Sequence, residues 1–384
     1  MLNLMLVCVY NHKHSSYNRK QMSNFEYTFP SIRGTQAGKE YYVSMCPLKL
    51  IPRIFLFDDD ELSPELRAQR TLNRSRIPEM TRYILGNKNN YVFSAITASI
   101  NGAVRFTSVD NKKADERLGI LHVDMKNQFI INDGQHRRAA IEQAIKEDPS
   151  MGDETIAVVF FVDHGLLRSQ QMFADLNRYA IRPSKSLGLL YDQRNDAAKV
   201  GKLVALKSEA FKGMVELEKN TLSERSRKLF TLSALCSATS DFLGLKEFAT
   251  PEDAATEAIA FWDELAKHIP EWQLVKKSKM TAGEIRRDFV HSHGVLLQAF
   301  GRIGCSLNTG KKPNYAPLTN LKKINWARSN GRDWEGRVMM AGRLTKASNS
   351  VVLATAFIKK IIGIELSPEE IKAEAVINKS RERK

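Results

Sequence analysis

The sequence predicts an α/β (α+β) protein, a mixed sheet with helices followed by a mainly helical C-terminal domain. Three observations predict it. Gln128-Phe129-Ile130-Ile131 is a short, mostly apolar run that ends at the turn residues Asn132, Asp133 and Gly134, and strong helix formers then continue to Ile145. Thr155 to Val162 is a continuous apolar run of the kind buried on both faces of a sheet. Strand, helix and strand thus follow one another as a βαβ-like unit, with a turn at the end of the first strand. From about residue 210 onward the periodicity is helical, with capped starts at Thr250-Pro251 and Ser367-Pro368.

Charge narrows the function. The chain of 384 residues has 58 basic and 43 acidic side chains, a net +15, and such an excess attracts polyanions over long range. Nucleic acid is the first partner it suggests. Cys8, Cys46, Cys236 and Cys305 lie far apart without CxxC or Cys/His spacing, which fits a reducing, cytoplasmic setting and no structural zinc. No apolar run reaches transmembrane length, and Met1–Tyr10 lacks the basic start and small-residue cleavage site of a signal peptide. Met22 is an alternative start, which makes residues 1–21 a dispensable extension. The expected division is 22–208 for the sheet-bearing domain and 209–384 for the helical one, with a basic segment at 311–346.

Along the chain, strand formers at 40–56 are interrupted by Pro47 and Pro52. Asp58-Asp59-Asp60-Glu61 reads as a solvated loop before a helix that starts at Ser63-Pro64. Its Arg67, Arg70, Arg74 and Arg76 form a face that either touches phosphates or is simply exposed. Residues 91–109 add strands with a turn at Asn101-Gly102. The strand-to-helix turn at Gly134 leaves unpaired N–H groups at a positive helix end, which attracts anions. His136, Arg137 and Arg138 in its first turn oppose the helix unless something negative sits there.

Arg168–Ala180 predicts a helix, and Pro183-Ser184 starts another through Leu190, Asp196 and Val204. Asn177, Arg178, Arg182, Ser184, Lys185 and Ser186 converge on that corner. They are a phosphate-binding set, or else Ser184 caps its helix and the arginines pair with Asp175 or Asp192. A helix over roughly Arg286–Ile303 includes His291-Ser292-His293, whose spacing is wrong for one helix face and a shared metal. In 311–346, Lys311, Lys312, Lys322, Lys323, Arg328, Arg332, Arg337, Arg343 and Lys346 are interleaved with Tyr315, Trp326 and Trp334. That composition suits DNA phosphates and a stacked base; core tryptophans among solvated cations are the alternative.

These residues also carry a family pattern. Asp133-Gly134-Gln135-His136-Arg137 is the signature of the DGQHR domain. The chain resembles the DNA sulfur-modification family DndB at Met172–Arg178, Arg182-Pro183, Ser186-Leu187 and Leu190-Tyr191-Asp192. It does so again at Ile324-Asn325-Trp326, Arg328-Ser329-Asn330 and Trp334–Arg337, within roughly 22–375. The resemblance implies a DNA-binding repressor of the genes that replace a non-bridging phosphate oxygen by sulfur. Its implied partners are the double-stranded promoter of the modification operon, other modification proteins and a second copy of itself.

Similarity of the DGQHR domain to the ParB/sulfiredoxin superfamily implies a mixed ParB-like sheet. It also implies that Gly134, Gln135, His136 and Arg137 face a phosphate or nucleotide, with Asn177, Arg178 and Arg182 approaching. Gln135 stands where sulfiredoxin-like members have a reactive cysteine, so thiol chemistry is excluded. A second reading is a nucleotide-hydrolysing or DNA-nicking enzyme using ATP or CTP with Mg, in which His136 and Asp133 do acid–base work.

Overall fold

The computed structural model describes residues 25–55, 74–109, 117–164, 168–178, 183–309, 313–345 and 348–382. The serine-capped helix start at 63, Arg67, Arg70, the acidic run at 58–61, Arg182, Lys311, Lys312, Lys346 and residues 1–21 lie outside the described residues. The chain divides into two compact units, 1–181 and 182–384. The division precedes 208/209 because helix Asp196–Lys207 sends Val200, Val204 and Ala205 into the second core.

The first unit is a seven-stranded mixed sheet with helices, as the sequence predicts. Its strands are β1 (Glu26–Gln36), β2 (Lys39–Pro47), β3 (Ile96–Asn101), β4 (Val104–Ser108), β5 (Leu118–Asp124), β6 (Gln128–Asp133) and β7 (Thr155–Val162). They run in the order β4-β5-β1-β2-β7-β3-β6, and of these neighbours only β3 and β7 are parallel. The expected βαβ unit is therefore corrected. β3 lies between β6 and β7, pairs antiparallel with β6 and parallel with β7, so β6 and β7 run in opposite directions.

Chain connectivity then forces curvature. In a flat sheet β3 and β4 would be five strand spacings apart, about 24 Å at roughly 4.8 Å each. Only Gly102 and Ala103 join them, a reach of about 11 Å over three Cα–Cα steps. The sheet must curl until its two edges approach. The β3–β4 and β5–β6 links indeed touch, with Asn127 Nδ2 donating to the Ala103 carbonyl at 2.9 Å. Asn101-Gly102 is thus a turn, but one that crosses between sheet edges and closes no hairpin. The concave side is filled by Phe29, Phe55, Phe129 and Phe160, with Phe29 and Phe160 centroids 5.1 Å apart.

Among the described residues the α-helices of this unit are α1 (Ile51–Ile54), α2 (Ile77–Gly86), α3 (Gln135–Glu147) and α4 (Ser169–Arg178). Arg74 and Arg76 form a short 3-10 turn ahead of α2, and both are exposed.

The second unit is helical: α5 (Lys185–Tyr191), α6 (Asp196–Lys207), α7 (Leu232–Leu243), α8 (Pro251–Ala266), α9 (Pro270–Lys276), α10 (Ala282–Asp288), α11 (Gly294–Leu307), α12 (Gly331–Trp334), α13 (Ser348–Ile362) and α14 (Pro368–Glu382). Two predicted helices are broken. Asn195 caps α6 afresh after α5 ends at Tyr191, and residues 289–293 separate α10 from α11. In that break Phe289 bridges Ala327, which holds the chain extended. The core centres on Trp262, Trp272, Phe211, Phe261 and Phe300. Gly301 of α11 lets it meet α7 closely, since a Cβ there would stand 2.1 Å from the Ala238 carbonyl.

Candidate phosphate-binding turn and basic surface

β6 feeds directly into α3 through Gly134, whose φ of +112° is a region that L side chains rarely adopt. The glycine serves a second purpose. A Cβ on it would lie 3.1 Å from Nη2 of Arg137, so its absence lets that guanidinium fold back over the turn. There Arg137 Nη2 donates to Asp133 Oδ2 at 2.7 Å and to the Ala95 carbonyl at 3.1 Å. Its Nε, also buried, has no partner among the described residues. Gly134 offers no side chain to cap α3, and no acid occupies the first turn of that helix. Backbone donors, a guanidinium with spare capacity and a positive helix end thus share one place.

His136 adds to the same field. Burial holds its imidazole below the usual 6.5, with Arg76 and Arg137 lowering it further and Asp133 partly offsetting them. Arg76 therefore contributes charge to the turn from the start of α2. A neutral His136 at pH 7 offers one N–H donor and can gain a proton when an anion arrives.

Arg138 belongs elsewhere, which corrects its predicted role. It is 7 % exposed and points to α1, donating from Nε to the Phe55 carbonyl at 3.0 Å and from Nη2 to the Pro52 carbonyl at 3.4 Å. Nη1 pairs with Glu142. Gln135 leans back to the Ile131 carbonyl at 3.4 Å.

Asn132, read from sequence as a turn residue, is a fully buried strand residue. Its Nδ2 donates to Ser99 Oγ and its Oδ1 accepts from Ser169 Oγ, each at 2.7 Å, which fixes the start of α4 beside the turn. Asn177 and Arg178 are exposed at the far end of that helix, with Asn177 Nδ2 bonded to the Phe173 carbonyl at 2.8 Å.

Ser184 and Ser186 lie in the second unit, and structural bonds occupy both. Ser184 Oγ caps α5 by accepting from Leu187 N at 3.0 Å, and it donates to the Glu218 carbonyl. Ser186 is wholly buried against Ser233 and Asn220, so it cannot face a phosphate.

The basic segment separates into buried and exposed members. Trp326 and Trp334 are 6 % and 0 % exposed and stack on each other at 5.5 Å, with Trp334 Nε1 donating to the Asn325 carbonyl at 2.8 Å. They are core anchors and cannot stack on a base. Arg337 is buried against Glu374 and Phe357. Arg328 braces the surface, donating to the carbonyls of Arg287 and Gly342 at 3.2 Å each. Among the described residues of the segment, Lys322, Lys323, Arg332 and Arg343 are the exposed cations. His291 is sealed in the core, accepting from Trp272 Nε1 at 3.1 Å, and burial pushes the neighbouring His293 down to about 4.

Sequence comparison decides the affiliation. A family model described as DndB, DNA-sulfur modification-associated, matches residues 29–365. The chain belongs to the DndB family. The match takes in the Gly134 turn, both walls of the curled sheet and the exposed cations at 322–343. No curated protein and no solved structure matches the chain. Among the described residues no helix is long and apolar enough to cross a membrane. DndB membership places the chain in the DNA sulfur modification system.

Proposed function

We propose that this DndB-family chain is a DNA-binding regulator, a repressor of the genes for DNA sulfur modification. The Gly134 turn is its anion sensor. The observation that supports this best is the Arg76, His136 and Arg137 cluster around an uncapped helix start in a chain of net +15. Lys322, Lys323, Arg332 and Arg343 are the phosphate contacts expected in the second unit. In this reading the duplex is held by many weak, salt-sensitive contacts, and the turn takes one phosphate group, whether on DNA or on a nucleotide.

A footprint on the promoter of the modification operon, at two salt concentrations and with or without ATP or CTP, tests the reading. A protected operator whose affinity falls steeply with salt is the expected result. Absence of protection would refute the regulator, and nucleotide turnover that His136→Ala abolishes would replace it with the enzyme reading.

A further inference from the structure

Helix α14 is attached to its unit in an unusual way. Among its described side chains, the buried Glu370, Glu374 and Ile377 follow the i, i+4, i+7 stripe that normally carries apolar residues, and they are 6 %, 7 % and 7 % exposed. Its Ile371 and Val376 face outward at 55 % and 65 %. Glu374 grips the Arg337 guanidinium, with Nη2 to Oε2 at 3.0 Å, and Glu370 Oε1 lies 3.0 Å from Lys359 Nζ. Phe357 backs the Arg337 guanidinium at 4.9 Å. Buried ion pairs seldom stabilise more than apolar residues of the same shape. Glu370 has a second duty, since it closes the capping box of α14 with Oε2 accepting from Ser367 N at 2.8 Å. Stability alone does not explain Glu374 on the docking face.

The carboxylates do match another ligand. A carboxylate held bidentately on an arginine fork occupies the same two positions as two phosphate oxygens. Arg337 and Lys359 lie within the DndB match, whereas α14 begins at Pro368, after its end at residue 365.

We propose that Arg337 and Lys359 form a second phosphodiester-binding surface, covered by the carboxylates of α14, and that nucleic acid displaces the helix to reach it. The proposal rests on the DNA-binding reading above. In the covered state Glu374 and Glu370 neutralise both cations. A duplex that supplies phosphates takes their place and leaves α14 free in solvent.

Two measurements on the full-length protein test this. Hydrogen exchange of the amides of 368–382 is followed with and without a mixed-sequence 20-base-pair duplex. Duplex affinity is measured for wild type, Glu374→Gln and Glu374→Gln/Arg337→Gln. Duplex should raise α14 exchange at least about tenfold. Glu374→Gln should bind about tenfold more tightly, with a log–log salt slope steeper by roughly one, and the added Arg337→Gln should cancel the gain. If wild type binds duplex while α14 stays equally protected, the cap is refuted and DNA binding survives. The same holds if Glu374→Gln loosens α14 without tightening binding. If none of the three proteins binds duplex, both readings fall together.

Discussion

Arg138 and Arg137 are adjacent, yet the structure gives them opposite duties, and Arg138→Met separates them. The substitution keeps the apolar stem and removes the guanidinium. Among the described residues the partners lost include the Phe55 carbonyl at 3.0 Å, the Pro52 carbonyl at 3.4 Å and the Glu142 carboxylate. The arginine side chain is 8 % exposed, so its bonds form in a poorly solvated place, while Glu142 at 30 % can regain water. Hydrogen bonds to charged groups contribute about 1.5–3 kcal/mol each, and the longer one less. The easier burial of methionine offsets part of the sum. A net loss of roughly 3 kcal/mol follows, or about 6–12 °C in Tm for a unit of this size. Circular dichroism during thermal unfolding reads the loss. Tryptophan fluorescence is the control, because Trp262, Trp272, Trp326 and Trp334 all lie in the second unit. A loss below about 1 kcal/mol, or a fall in phosphate or DNA affinity as large as that of Arg137→Gln, would refute this division of roles.

Three further outcomes follow from the same geometry. The His136 imidazole, held below 6.5 chiefly by burial, binds its proton less readily in the folded than in the unfolded chain. Its contribution to stability is therefore full above about pH 6.5 and is lost as pH falls towards the folded value. A bound phosphate should raise that value, so NMR titration with inorganic phosphate should move the His136 midpoint upward and phosphate affinity should grow below pH 7; an unmoved midpoint contradicts the site. Gly134→Ala should cost about 1–2 kcal/mol from its φ of +112° and displace Arg137, which denaturant unfolding and phosphate titration would read together. Trp326→Phe should lower stability by about 1–3 kcal/mol and leave duplex affinity within about twofold, since the indole is buried on Trp334; a large affinity loss without destabilisation would return it to the DNA surface.

Local signals in the sequence located the strand–turn–helix at Gly134, because an apolar run, a glycine and a row of helix formers suffice for that. They also found the capped helices starting at Pro251 and Pro368. What stayed hidden depends on partners distant in sequence. Asn132 carries turn propensity, yet Ser99 and Ser169 make it a buried bridge. Arg138 shares a helical stripe with Ile141 and Ile145, a sign that it faces inward, but only the placement of α1 supplies its carbonyl partners. The strand order is equally non-local: Gly102 looks like a hairpin turn, and only the pairing of β3 with β6 shows that it crosses the curled sheet. Composition also misled at 311–346, where a loop rich in cations and tryptophan says nothing of which way an indole points.

As proposed above, this chain regulates DNA sulfur modification by holding DNA, and its Gly134 turn takes a phosphate group. Fluorescence titration of a promoter duplex with wild type and Arg137→Gln, at about 50 and 200 mM salt, tests it most directly. Binding should be sequence-selective and should weaken by about three decades or more over that range. The variant should bind at least about tenfold more weakly at unchanged stability. Wild-type binding without operator preference, or Arg137→Gln affinity equal to wild type, would contradict it.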